Sequence, residues 1–295
     1  MRSAPSRIVY VYLAIVVVTW AANWPLMKLA LADAPPLVFV LLRMLGTLAL
    51  LAPALLAMRE PLLPRRGERL LLFLVGLFQV AGFLICGILG LSIVPPGRAI
   101  VLAYTMPLWA IPIGLLLGQE RLGRGQFLGA VLGFLGLVLF MNPGLVDWTS
   151  ARVLAGNALL LGAAICWAAG SCLYRLRAWR SPFWAQTFWQ LALSTVIIAA
   201  VALPAAAEES VQWSIGLVLI LAYNWIVTTA LGYFLWNKVL WELPAAVAGQ
   251  VTALTPVFGF LLATAIFGGQ ITLDVVAAVA LIVLGIILTL RARAA

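Results

Sequence analysis

Apolar residues run along the chain in stretches of about 20 residues, the length that crosses a bilayer as a helix, separated by short clusters of Pro, Gly, Arg and acidic residues. Ten such segments, numbered in chain order, cover 8–31, 35–57, 70–92, 96–117, 125–141, 153–174, 182–203, 213–238, 244–267 and 271–290. Within them the apolar–polar alternation of barrel strands is missing. Unpaired backbone groups are costly in lipid, so the segments are predicted to be helices. The expected fold is an all-α membrane protein of ten transmembrane helices.

Composition agrees, with 65% hydrophobic residues and 27 charged ones among 295. Mean hydropathy is +1.15. So apolar a chain leaves only short loops and no room for a separate soluble domain. The three cysteines, Cys86, Cys166 and Cys172, all fall inside apolar segments and form no disulfide framework. Histidine is absent, which removes the commonest metal ligand and general base. No metal, cofactor or catalytic residue is expected. The first segment follows Arg2 and Arg7 and ends near Ala30, Ala32 and Ala34, but it is too long for a cleaved signal and is expected to stay as a helix.

The net charge of +9 is spread over loops and forms no basic stripe, which argues against nucleic acid as a partner. Its distribution orients the chain instead. Fourteen cations fall on the side of the N-terminus, Arg65, Arg66, Arg69, Arg175 and Arg177 among them; Lys28, Arg98 and Arg152 fall on the other, and Arg43 lies inside segment 2. Short loops rich in Lys and Arg stay inside, so both termini are predicted to be cytoplasmic. Trp148, Trp179, Trp184, Trp213 and Trp241 sit near segment ends, where interfacial anchors belong.

The chain also repeats itself. A shift of 147 lays Trp20-Ala21-Ala22 on Trp167-Ala168-Ala169 and Pro35 on Pro182; a shift of 149 lays Pro95 on Pro244, Pro107 on Pro256 and Gly136 on Gly285. The expected units are residues 1–147 and 148–295, each with five helices. An odd number makes the second unit enter from the opposite face, giving two inverted repeats about an axis in the membrane plane. Inverted repeats imply alternating access to a site near the midplane.

With Trp20 and Trp167 central in segments 1 and 6, Pro107 and Pro256 in segments 4 and 9, and the run Leu117-Gly118-Gln119-Glu120-Arg121-Leu122, the chain resembles the drug/metabolite transporter superfamily. More narrowly it resembles the ten-helix bacterial branch that exports amino acids and other metabolites. The resemblance spans about 8–290. It implies an exporter in a bacterial cytoplasmic (inner) membrane, a small-molecule substrate, and a cavity lined by helices 1, 3, 4, 6, 8 and 9. The superfamily's acidic residue after helix 4 matches Glu120, whereas the corresponding second-half position is Gly269.

Polarity selects the same six segments without reference to any family, because a polar side chain in lipid must pair or face a wet cavity. Asn23, Gln79, Tyr104, Trp109, Trp167, Ser171, Trp225, Thr228, Gln250 and Thr252 are the candidate cavity residues. Ser and Thr can instead bond a carbonyl of their own helix. The amides of Asn23, Gln79 and Gln250 can instead bond between helices, and the tryptophans can simply pack. Neutral donors and aromatic walls would hold a zwitterion with broad specificity. Arg43 lies ~12 Å deep by helical rise. Either it makes an interhelical contact shared with its repeat-mate Gln190, or it binds a substrate carboxylate.

Pro107 and Pro256 remove backbone donors at matched positions and are candidate hinges. Gly125, Gly129 and Gly133 form a small-residue stripe suited to packing within a monomer or, less so, to a weak homodimer. All nine carboxylates map to loops or segment ends, so uniport or exchange is expected rather than ion coupling. The rivals are a sugar-phosphate or nucleotide-sugar antiporter and a membrane enzyme of lipid or isoprenoid chemistry; the second usually needs embedded carboxylates or His, and none are seen. The topology is testable. Single cysteines replacing Arg65 or Arg177 should react with a membrane-impermeant thiol reagent only after cells are opened, and labelling of intact cells would reverse the orientation.

Overall fold

A computed structural model describes residues 6–58, 61, 63–119, 123–141, 149–208, 210–267 and 272–294. Among these there are helices and turns and no strands. In chain order the helices are α1 (Arg7–Ala30), α2 (Pro36–Met58), α3 (Arg66–Ile93), α4 (Pro96–Leu116), α5 (Arg124–Met141), α6 (Ala151–Arg175), α7 (Phe183–Glu208), α8 (Ile215–Glu242), α9 (Ala245–Thr252 followed by Thr255–Phe267) and α10 (Leu273–Ala294). Seven of them, α1 to α4 and α6 to α8, are long and apolar enough to cross a membrane, and α5, α9 and α10 contain shorter apolar helices. Glu120, Gly269, Trp148 and the expected boundary between 147 and 148 lie outside the described residues.

Local chemistry accounts for the helix starts. Pro36 and Pro96 occupy first-turn positions where a missing N–H costs nothing. Ser150 and Ser214 cap α6 and α8 by accepting from Val153 N and Leu217 N. Large apolar side chains such as Leu56, Leu116, Val196 and Ile215 remain exposed on the outer surface, as a bilayer solvent requires.

Four helices depart from regular geometry, in matched pairs. In α3 the backbone widens into π-helical turns over Gly76–Gly82, and in α8 it does so over Asn224–Leu231. Offsets of 148 and 149 relate their ends. Both α4 and α9 break, at Tyr104–Thr105 and at Ala253–Leu254, just before Pro107 and Pro256. The proline ring cannot coexist with a regular turn ahead of it and leaves a carbonyl unpaired. The backbone responds with tighter bonds, Thr105 N to Leu102 O in α4 and, in α9, Ala253 N to Gln250 O and Leu254 N to Val251 O. The hydroxyls of Thr105 and Thr252 each donate 2.7 Å to a carbonyl of the same turn, Leu102 O and Gly249 O.

Most helix packing runs between the two halves. α1 packs on α8 and on the second part of α9, while α6 packs on α3 and the second part of α4. α2 lies against α7 and α5 against α10. The first and sixth helices thus exchange roles. At the α5–α10 crossing, a Cβ on Gly129 would come within 2.5 Å of Gly285 O, and one on Gly136 within 2.8 Å of Ala278 O. The stripe on α5 therefore packs within the monomer. Gly133 is different, since its nearest neighbour, Gln250 Nε2, would be 3.5 Å from an added Cβ.

This contrast gives a stability prediction. Gly129→Ala should destabilise the protein by about 1–3 kcal/mol through overpacking, and Gly129→Leu should prevent a stable fold. Gly133→Ala should melt like the parent. Thermal unfolding in detergent measures all three, and equal losses at both glycines would refute the crossing described here.

Candidate functional site

A cavity opens between the halves, lined by α1, α2, α3, α4, α6 and α8. Its wall includes Trp20, Asn23, Trp24, Met27, Arg43, Phe83, Tyr104, Trp167 and Tyr233. The empty volume is about 550 Å³ with its mouth. It is a slot rather than a chamber.

The aromatic wall is built from both halves. Trp20 and Trp167 meet edge to face with centroids 5.0 Å apart, and Trp167 also meets Phe83 at 4.7 Å, Trp236 at 5.4 Å and Tyr233 at 5.7 Å. Such contacts fix ring orientations beyond what burial alone does. The π-helical turns in α8 present Thr228 O to Trp20, whose Nε1 donates to it at 3.0 Å. Trp167, the repeat-mate of Trp20, lacks the equivalent bond. Its buried Nε1 has no partner among the described residues.

Arg43 is 4% exposed. Its Nε donates 2.7 Å to Thr229 Oγ1, and its Nη1 faces Met27 Sδ at 3.8 Å. Among the described residues it has no carboxylate partner. Gln190, its repeat-mate, instead accepts from Asn237 Nδ2 at 3.1 Å. Both side chains reach α8, so their contacts are not related by the two-fold repeat. Asn23 is 5% exposed, and its Oδ1 is a buried acceptor without a partner.

The structure brings Asn23, Tyr104 and Trp167 together on the cavity wall. The other sequence candidates lie elsewhere. Gln79 is fully buried and donates 3.1 Å to Ser171 Oγ, joining α3 to α6 where Gly170 lets the two backbones touch. Trp109 bonds Thr105 Oγ1 one turn back. Trp225 donates to Leu42 O at 3.0 Å, its ring filling the space a side chain at Gly46 would need. Thr228 bonds back to Asn224, and Thr252 to Gly249. Gln250 accepts from Thr289 on α10 and lines a smaller cleft with Gly133. Pro107 and Pro256 sit at the breaks in α4 and α9.

Trp20, Trp24, Phe83 and Tyr233 join the wall without having been singled out for it. Trp20 is a landmark of the sequence repeat, and Tyr233 carries a hydroxyl within segment 8; Trp24 and Phe83 carry no polarity signal that separates them from packing residues.

At the end where segments 3, 6 and 7 meet, polar groups bridge the halves. Glu68 accepts from the backbone of Arg180 at 2.8 Å and of Ser181 at 3.2 Å, and Arg177 donates to Gly67 O at 2.6 Å. Ser6 Oγ donates to Glu242, also across the halves. The opposite end is joined by Gln212 N donating to Asp33 O at 2.8 Å. Among the described residues, no group of three or more His, Cys, Asp or Glu could hold a metal ion.

The sequence profile of the EamA-like transporter family matches the chain twice, over residues 7–142 and 154–291. An uncharacterized transporter of Bacillus subtilis, YoaV, is 26% identical over 282 residues, covering 94% of this chain and 96% of that protein. A Salmonella typhimurium protein named as a probable amino-acid metabolite efflux pump is 26% identical over 284 residues, covering 92% and 91%. One solved crystal structure superposes with a TM-score of 0.81 at 21% identity over 98% of this chain and 99% of the other, a likeness of fold. On the double family match, the chain belongs to the EamA-like transporter family of the drug/metabolite transporter superfamily, and it is a multi-pass membrane transporter rather than an enzyme.

Proposed function

We propose that this protein is an alternating-access secondary transporter that exports amino acids and related small metabolites across a bacterial cytoplasmic (inner) membrane. In this reading its ten helices form two inverted five-helix repeats, and both termini are cytoplasmic. The observation that carries the reading is the cavity itself: a narrow aromatic slot formed by both halves, holding buried polar groups without partners.

Three further features support it. The family profile matches each half separately. Irregular turns recur at matched positions in α3 and α8 and in α4 and α9, where a change of state can be absorbed without breaking whole helices. Two relatives, from Salmonella typhimurium and Escherichia coli, are named as probable amino-acid metabolite efflux pumps. With the termini inside, the wall residues of α1, α2 and α3 occupy the outer half of the membrane. The bonds of Glu68 and Arg177 then close the cytoplasmic end. Export requires those bonds to open and the slot to widen on the inner side.

The carboxylates Asp33, Glu68, Glu242 and Asp274 lie at helix ends or turns, and no acidic residue lines the slot. Proton or sodium coupling through a buried acid has no basis in such a wall. Uniport or exchange is the coupling this favours.

In liposomes holding only this protein, a preloaded amino acid should exchange with labelled external amino acid when pH and sodium gradients are collapsed. Exchange that vanishes with those gradients would sink the uncoupled mechanism. Asn23→Ala or Trp167→Ala should cut exchange about tenfold or more while the protein still inserts and melts cooperatively, because each removes a polar group from the slot. Gln250→Ala, outside the slot, should transport nearly normally; the reverse ranking would move the site to the cleft beside α10.

A further inference from the structure

Arg43 is expensive where it lies. A guanidinium removed from water needs charge-assisted partners, and Arg43 has two neutral ones, the Thr229 hydroxyl and the Met27 sulfur. Among the described residues, no oxygen accepts from its Nη2. Two more polar groups on the same cavity wall are unpaired, the Trp167 indole N–H and the Asn23 amide oxygen. Buried groups of this kind nearly always have partners in a folded protein. Among the described residues nine such atoms lack a partner, and Asn23 Oδ1 and Trp167 Nε1 are the two that share a cavity wall with a guanidinium that has no carboxylate, a juxtaposition that points to a ligand completing all three.

We propose that Arg43 is the counter-ion for a substrate carboxylate, with the Trp167 indole as a second donor and Asn23 accepting from an amino or hydroxyl group beside it. The proposal rests on the transporter reading above and narrows its substrates to small organic acids with an apolar or aromatic tail. The tail would pack against Trp20, Trp24, Phe83 and Tyr104, whose faces supply contact area and little discrimination among tails. Discrimination falls on the head group. A zwitterion or 2-hydroxy acid brings the negative charge that Arg43 lacks. A primary amine of the same tail brings a second positive charge into a wall with no carboxylate. One guanidinium also suits one carboxylate better than a phosphate dianion, which binds where several cations converge.

The alternative is that Arg43 only ties α2 to α8 through Thr229. That role would affect stability and leave ligand preference alone. The two are separated by measuring preference on the intact protein.

Binding of L-phenylalanine, L-leucine, 3-phenyllactate and 2-phenylethylamine to the purified full-length protein in detergent should show each acid bound about tenfold or more tightly than the amine. Arg43→Gln should remove that preference, with the melting temperature as the control for folding, and Arg43→Lys should keep part of it. An amine bound as well as its acid by the parent, binding of none of the acids, or an unchanged preference in folded Arg43→Gln would each overturn the assignment. If Arg43→Gln does not fold, the parent's preference and Arg43→Lys decide. The same four compounds in liposome exchange separate this idea from the one beneath it. Acids that bind but never exchange would leave Arg43 as a carboxylate site and remove the transporter reading; acids and amine exchanging alike would keep the transporter and remove the carboxylate site.

Discussion

Hydrocarbon supplies no hydrogen bonds, and nearly every feature of this structure follows from that constraint. Backbone groups are paired inside helices, and beside the proline breaks and the widened turn of α8 a threonine hydroxyl or an indole N–H donates to a backbone carbonyl. Polar side chains face the same requirement. Many meet it locally or with one neighbouring helix, as Thr195 does with Leu191 O and Tyr174 with Gln186, while Gln79 and Asn237 meet it through their amide nitrogens alone. Two of the atoms that do not, Asn23 Oδ1 and Trp167 Nε1, share the slot with the Arg43 guanidinium, and it is this combination with a buried cation that marks the candidate site.

The repeat and its imperfections carry different information. Where the halves agree, in the kinked α4 and α9, the π-helical turns of α3 and α8, and the Gly-lined α5–α10 crossing, the shared feature is architectural. Where they disagree, the site appears. Trp20 has its carbonyl partner and Trp167 does not; Arg43 faces the slot while Gln190 is held by Asn237. Both halves contribute to the wall, but their matched positions do not make matched contacts.

Interlocking follows from the same packing. The first helix of each half is buried chiefly against the other half, so the core is the interface between repeats, and neither repeat presents a complete core of its own. The bridges of Glu68, Arg177 and Ser6 on one side and Asp33 on the other are polar and lie at the ends of the helices, away from the aromatic centre.

Length and apolarity of the segments settled the helical membrane architecture in advance, because a bilayer sets the span and forbids unpaired strands. The matched prolines Pro107 and Pro256 marked the irregular positions of α4 and α9, but Pro25, Pro53 and Pro204 lie inside helices that continue through them, so which proline accompanies a break was decided by tertiary context. The polarity of Asn23, Gln79 and Gln250 was equally plain, but their destinations were not. All three are amides in membrane helices, and only the packed structure sends Asn23 to the slot, Gln79 to Ser171 and Gln250 to Thr289. Trp24 and Phe83 were silent in the sequence, because an aromatic ring gives the same signal whether it lines a cavity or fills a core. Which face of a helix meets which neighbour depends on contacts far apart in the chain, and that is the information a one-dimensional pattern does not hold.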